Sequence, residues 1–93
     1  MNKVKIIVSG HVQGVGFRYT TLQVAKRLGI KGQVWNNDDG TVGILAQAED
    51  SSLLIKFEKK IRDNYGHRPW IRVDYLDITT DHSPDFSDFS LTY

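Results

Sequence analysis

Three glycines fall within the short segment Gly10 to Gly16, which separates a strand-like pattern from a helix-like one. Before it, Lys3 to Ser9 alternates polar and apolar residues, as a half-buried strand does. After it, Phe17 to Leu28 has apolar residues at helical spacing, and Gly29 stands where such a helix would stop. Because glycine adopts positive φ without steric cost, the segment favours a tight turn. The chain is therefore expected to begin with a strand, a glycine-rich loop and a helix.

The middle of the sequence predicts a β-hairpin followed by a second helix. Gly32 to Asn36 and Thr41 to Ala48 are the predicted strands, and the Asp-Gly pair between them is typical of a tight hairpin turn. Asp50 or Ser51 is the predicted N-terminal cap of the helix, because such side chains accept hydrogen bonds from its first amides.

The C-terminal part predicts two more strands. Trp70 to Thr79 is a predicted strand whose apolar phase shifts between Tyr75 and Leu76, which indicates a bulge or a change of face. A short last strand is indicated by Phe86, Phe89, Leu91 and Tyr93. The order β-α-β-β-α-β plus this short strand predicts an α+β ferredoxin-like sandwich, in which an antiparallel sheet carries two helices on one face.

Length and composition limit the classes of protein. The 93 residues fit one domain, so residues 1–93 are expected to share a single core. The lack of cysteine excludes disulfides and thiolate chemistry, and the three histidines have no metal-ligand spacing. A net charge of +1 argues against nucleic acid as the main partner, and no apolar run has the length of a membrane span. We expect a monomer in the cytoplasm.

The loop before the first helix has the features of an anion site. Successive N–H groups in a glycine-rich curl point inward, and the dipole of the following helix is directed at the same place. Arg18 can hold two phosphoryl oxygens with its planar guanidinium. From the glycines alone, an ordinary turn with a solvated Arg18 remains the alternative. A turn-capping role is likewise the alternative for Asn36.

Two motifs resemble those of the acylphosphatase family. Gly10 to Arg18 matches the family pattern Gly-x-Val-Gln-Gly-Val-x-Phe-Arg at every specified position. The second pattern, Gly-x-Val-x-Asn-x-x-Asp-Gly-x-Val, is matched in register by Gly32, Val34, Asn36, Asp39, Gly40 and Val42. The resemblance covers essentially the whole chain, including its length, the order of its elements and its aromatic C-terminus.

The resemblance implies hydrolysis of small acyl phosphates, which are mixed anhydrides of a carboxylic acid and phosphate. It gives Arg18 the role of a catalytic, phosphate-binding residue, and Asn36 that of positioning the attacking water. The backbone amides implied to hold the phosphoryl group are those of Gln13, Gly14, Val15, Gly16, Phe17 and Arg18. The family needs no metal or cofactor, and inorganic phosphate is the expected product and competitive inhibitor.

The sequence departs from many relatives on the strand that carries Asn36. Gln33 stands where many relatives have an aromatic residue, and Trp35 stands where they have a basic one. Because Trp35 directly precedes Asn36, we expect a change in the rim of the site or in the acyl groups accepted as substrate. Three other functions are alternatives: a ferredoxin-like RNA-binding module, a relative of the acylphosphatase-like domain of hydrogenase-maturation proteins, and a phosphate-binding module without catalysis. Scattered aromatics argue against the RNA-binding module. The lack of a further domain argues against the hydrogenase-maturation relative, and the intact pair Arg18 and Asn36 argues against a module without catalysis.

Overall fold

The computed structural model describes residues 2–92 apart from the side chain of His67, so the predicted contribution of Tyr93 lies outside it. The elements follow the predicted order, with one short helical turn in addition. They are β1 (Asn2–His11), α1 (Phe17–Leu28), β2 (Lys31–Asn36), β3 (Val42–Ala48), α2 (Ser51–Arg62), α3 (Asn64–His67), β4 (Arg72–Thr80) and β5 (Phe89–Leu91). Within the described residues, no helix is long and apolar enough to cross a membrane.

The strands form one five-stranded sheet in the order β4-β1-β3-β2-β5. Neighbours are antiparallel except β2 and β5, which run parallel to each other. The predicted ferredoxin-like arrangement is confirmed, but the sheet is mixed rather than wholly antiparallel. The reason is that the chain after β4 reverses once and crosses to the far edge, so β5 runs opposite to β4 and parallel to β2.

The crossing segment, residues 81–88, is attached to the sheet by two buried polar side chains. Lys3 donates to a backbone carbonyl of the segment and to Asp85 Oδ1, the latter at 3.1 Å. Gln47 accepts a hydrogen bond from the Phe86 amide at 2.8 Å. Because buried polar groups cost free energy unless they are hydrogen-bonded, these contacts fix the path of the chain towards β5.

One face of the sheet packs against α1 and α2 and forms the core. The apolar side chains without exposed surface are those of Ile6, Val8, Ala25, Val34, Val42, Ile44, Ala46, Phe57 and Ile61. The other face carries exposed residues, among them Lys5, Tyr75 and Asp77. This division is typical of a sheet that is covered on one side only, and it confirms that both long helices lie on the same face.

Gly32, where β2 lies between β3 and β5, has no room for a side chain. Its φ is +145°, and a Cβ atom there would lie 1.8 Å from the Leu45 carbonyl oxygen. We expect Gly32→Ala to lower the free energy of unfolding by about 3 kcal/mol, because backbone strain and overpacking add. Urea denaturation of the variant measures this loss.

Gly29→Ala is the matched control. Gly29 also has a positive φ, +73°, but an added Cβ would meet no atom within 4 Å. Only the left-handed backbone opposes that methyl group, so the expected loss is about 1 kcal/mol. Equal losses in the two variants would contradict the steric role of Gly32.

Candidate active site

Residues 12–16 form the loop between β1 and α1, and both of its glycines have a left-handed backbone. The φ angles of Gly14 and Gly16 are +74° and +78°. A Cβ atom at either position would meet no atom within 4 Å. The loop therefore needs glycine for its backbone shape, and the space beside both residues is open to a ligand.

The N-terminus of α1 begins directly after this loop. Gly16 is its N-cap and contributes no side-chain hydrogen bond, and the first turn contains no acidic residue. The first amides of a helix lack intrahelical acceptors, and the helix dipole makes this end partly positive. The amides of Phe17 and Arg18 are therefore suited to bind an anion.

Gly10 has a different role from the other two glycines. It lies within β1 at the point where the register with β4 shifts past Asp74. A Cβ atom at Gly10 would lie 2.1 Å from the Arg72 carbonyl oxygen. The shift is the predicted bulge, which lies just before Tyr75 rather than after it. The lack of a side chain at Gly10 thus allows β1 and β4 to approach each other closely, and Gly10 is not part of the loop.

Arg18 lies in the first turn of α1 and contacts the C-terminal segment. Its Nη1 atom donates to the Thr92 carbonyl oxygen at 2.9 Å. The Thr92 amide in turn donates to the Val34 carbonyl oxygen at 2.9 Å. The half-buried guanidinium is thereby connected to β2, and this contact restricts its orientation.

The loop glycines and Arg18 line one pocket of about 250 Å³. The lining consists of Val12, Gly14, Gly16, Phe17, Arg18, Tyr19 and Leu91. The guanidinium of Arg18 and the partly positive N-terminus of α1 both border this pocket. The structure thus brings together most of the groups that the sequence predicted to bind phosphate.

A larger pocket of about 330 Å³ lies at the opposite end of the sheet. Its one lysine, Lys3, already pairs with Asp85, and Asp81 adds a further negative charge to the lining. A lining of this kind disfavours an anion, because its positive charge is already compensated.

Asn36 ends β2 on the face of the sheet that packs against the helices. It follows the buried Val34 by two residues, so both side chains lie on that face. Asn36 pairs with Val42, which pairs in turn with Val8 of β1. Asn36 therefore lies two strands from Val8, or about 10 Å at the usual strand spacing. Its exposed carboxamide is at the same end of the sheet as the pocket, outside the pocket lining.

The side chains of Gln13 and Val15, which were predicted to contribute only their amides, take part in the fold. Val15 packs against the core, and Gln13 reaches the hairpin of β2 and β3. Sequence reasoning missed Tyr19, which follows Arg18 in α1 and lines the pocket. It also missed Leu91 and Thr92, because no local pattern brings the C-terminal segment next to the loop. The apolar pattern that predicted β5 was the only indication.

Trp35 lies on the sheet face opposite to the helices and not in the pocket. Its indole covers Gly43, where an added Cβ atom would come within 2.4 Å of the ring. Trp35 Nε1 donates to Asn37 Oδ1 at 2.8 Å, and Asn37 Nδ2 donates to Thr41 Oγ1 at 3.0 Å. Trp35 therefore supports the turn that follows Asn36, in contrast to the expected role at the rim of the site.

Comparison with known proteins gives a consistent result. The acylphosphatase family model matches residues 4–91. An acylphosphatase of Lactococcus lactis subsp. lactis strain IL1403 is 48% identical over 97 aligned residues that cover all of both chains. A crystal structure of acylphosphatase from Bacillus subtilis has a TM-score of 0.88 at 35% identity, again over all of both chains.

A structure of full-length HypF in its phosphate- and nucleotide-bound form is also similar, with a TM-score of 0.83 at 24% identity. The alignment covers 99% of this chain but only 12% of that one. This likeness concerns the fold alone.

Thr41 lowers the pKa of Asp39 in the turn after Asn36. Its hydroxyl and its amide donate to Asp39 Oδ1, at 2.7 and 3.0 Å. We expect NMR titration to give Asp39 a pKa below that of an ordinary aspartate, and Thr41→Val to raise this pKa, because the hydroxyl contact is the larger cause. Because the pKa of Asp39 is lower in the folded than in the unfolded protein, these contacts stabilise the turn at pH values above the unfolded-state pKa. This stabilisation is lost as the pH falls through the folded-state pKa.

Asp50 provides an internal control in the same titration. Its pKa is lowered by hydrogen bonds from Ser52 at the start of α2, and it should stay low in Thr41→Val. An Asp39 pKa that does not change in this variant would contradict the assigned cause.

Proposed function

Because this chain belongs to the acylphosphatase family, we propose that Arg18 and the loop amides bind the phosphoryl group of an acyl phosphate, and that Asn36 positions the attacking water. The amides of residues 13–18 are called the cradle below. The reaction is the hydrolysis of a carboxyl–phosphate bond to a carboxylate and inorganic phosphate. The observation that carries the proposal is the meeting of Gly14, Gly16 and Arg18 in one pocket at the N-terminus of α1.

Binding of the phosphoryl group supplies most of the catalysis in this proposal. Phosphoryl transfer depends on positioning and on stabilisation of the charge spread over the equatorial oxygens. The cradle amides and the guanidinium donate to these oxygens from fixed positions, so they need little reorganisation during the reaction. Arg18 stays charged at any working pH.

The leaving group explains why no general acid is required. A departing carboxylate has a pKa of about 4, so it is stable as an anion near neutral pH. The P–O bond breaks with its electron pair on the carboxylate, and the new P–O bond forms to the water oxygen. No metal ion or cofactor enters this scheme.

The carboxamide of Asn36 is suited to hold the water, because it offers both a donor and an acceptor. It cannot take up a proton near neutral pH, so a phosphoryl oxygen accepts one proton of the attacking water. The products are then the carboxylate and the dihydrogen phosphate ion, and all atoms and charges balance. A carboxylate in place of Asn36 would be repelled by the dianionic phosphoryl group.

The substrate and the cellular setting follow from the same proposal. The protein acts on free, small acyl phosphates as a monomer in the cytoplasm, with inorganic phosphate as product and competitive inhibitor. A near-neutral net charge of +1 supports a local anion site over an extended nucleic-acid surface.

Hydrolysis of benzoyl phosphate tests the roles of Arg18 and Asn36. We expect Arg18→Ala to lower kcat/KM by about a thousandfold and to weaken inhibition by phosphate, because the main charge contact is lost. Asn36→Ala should lower kcat by about a hundredfold with little change in phosphate inhibition, because only the water is misplaced. Asn36→Asp should be no more active than Asn36→Ala at neutral pH.

Arg27→Ala is the matched control, since Arg27 is an exposed arginine in the last turn of the same helix. Its kcat/KM should equal that of the wild type. If the wild-type protein hydrolyses benzoyl phosphate no faster than the Arg18 and Asn36 variants, the proposal is wrong. Full activity of Asn36→Asp would contradict the role of Asn36 as a group that orients the water without acting as a base.

A further inference from the structure

The side chain of Gln13 connects the cradle to the hairpin that carries Asn36. Its Nε2 atom donates to the carbonyl oxygens of Asn37, at 2.8 Å, and Thr41, at 2.9 Å. Carbonyl oxygens only accept hydrogen bonds, so both amide protons are directed at the hairpin and the orientation of the carboxamide is fixed. The residue is half-buried, which strengthens such bonds because water competes less for them.

The two acceptors belong to a turn that is tightly bonded within itself. The Asn37 amide donates to the Thr41 carbonyl oxygen at 2.9 Å, and the Asn37 side chain donates to the Thr41 hydroxyl at 3.0 Å. The Thr41 hydroxyl and amide donate to Asp39. Gln13 therefore holds the turn as a unit, and Asn36 is only one peptide bond from the first acceptor.

We propose that the side chain of Gln13 is a positioning residue, which sets the distance between the phosphoryl group in the cradle and the water held by Asn36. This inference rests on the proposed function, because that function assigns both ends of the distance. Gln13 also supplies a cradle amide, so one residue takes part in both halves of the site. In-line attack requires the water and the phosphorus in fixed alignment, and a misplacement of about 1 Å can cost about a hundredfold in rate.

Gln47 is a glutamine with similar bonding at a distance from the site. Its side chain accepts from the Phe86 amide at 2.8 Å and donates to the Phe86 carbonyl oxygen at 3.4 Å. Both contacts lie at the opposite end of the sheet, because Gln47 pairs with Lys3 near the start of β1. Gln47→Ala is therefore a matched control for the loss of glutamine–backbone bonds that only stabilise the fold.

The test compares kcat and KM for benzoyl phosphate, and the inhibition constant of inorganic phosphate, in Gln13→Ala, Asn36→Ala and the double variant. Gln13→Ala lowers kcat by about 10- to 100-fold, because the water and phosphoryl group lose their alignment. Its phosphate inhibition constant stays within about threefold of wild type, because Arg18 and the cradle amides remain.

The double variant distinguishes positioning from a general loss of structure. In the Asn36→Ala background, Gln13→Ala lowers kcat by no more than about twofold, because a residue that acts through Asn36 has nothing left to position. Gln47→Ala lowers stability in urea but leaves the kcat of the folded protein unchanged.

Gln13→Glu keeps the size of the side chain and provides a readout if the alanine variant does not fold. A carboxylate has no proton to donate to the two carbonyl oxygens, whereas a protonated carboxyl group has one. The kcat of this variant relative to wild type therefore rises as the pH falls through the pKa of the introduced carboxyl group.

Three results would each overturn the positioning role. The first is additive losses of kcat in the double variant, and the second is equal losses of phosphate affinity and kcat in Gln13→Ala. The third is a kcat of Gln13→Glu, relative to wild type, that does not depend on pH. A wild-type kcat in Asn36→Ala would instead remove the proposed water site, and with it the inference. The two failures are distinguishable, because only the second appears in the single Asn36 variant.

Discussion

The double pairing of β3, with β1 on one side and β2 on the other, is the constraint on which the site depends. Val42 pairs with Val8 in one direction and with Asn36 in the other. Val8 and Val42 are completely buried, so the packing of the core fixes this register. A slip by one residue would turn Asn36 to the opposite face and direct Trp35 at the helices. The apolar core thus determines where the polar side chain of Asn36 lies.

The other half of the site depends on backbone shape more than on side chains. The left-handed glycines at positions 14 and 16 turn the chain from β1 into a helix without a side-chain cap, which leaves amides and a dipole for an anion. Arg18 adds a permanent charge and is held by Thr92 of the C-terminal segment. The contact of Thr92 with Arg18 therefore gives the end of the chain a place beside the pocket. Such a site suits a substrate with a good leaving group, since it supplies positioning and charge and no acid.

Local patterns were sufficient to predict every element except the short α3, because each depends on residues within a few positions of one another. The bounds of α1 and the cap of α2 at Asp50 agree with the sequence prediction for this reason. Features that depend on distant residues were not predicted. Gly10 lies against β4 and not in the loop, and the parallel direction of β5 depends on the crossing of residues 81–88 to the far edge of the sheet. The bonds of Gln13 to the hairpin join residues 24 and 28 positions apart, and no pattern along the chain indicates them.

Titration of ¹⁵N-labelled protein with inorganic phosphate, followed by amide chemical shifts, measures where the anion binds. We expect saturable shifts at the amides of residues 13–18, and their loss in Arg18→Ala. The amide of Asn36 should respond less than these, because its proposed role is to hold water and not phosphate. Shifts centred on the pocket beside Lys3, or a response at the loop that Arg18→Ala leaves unchanged, would contradict phosphate binding by the loop and Arg18.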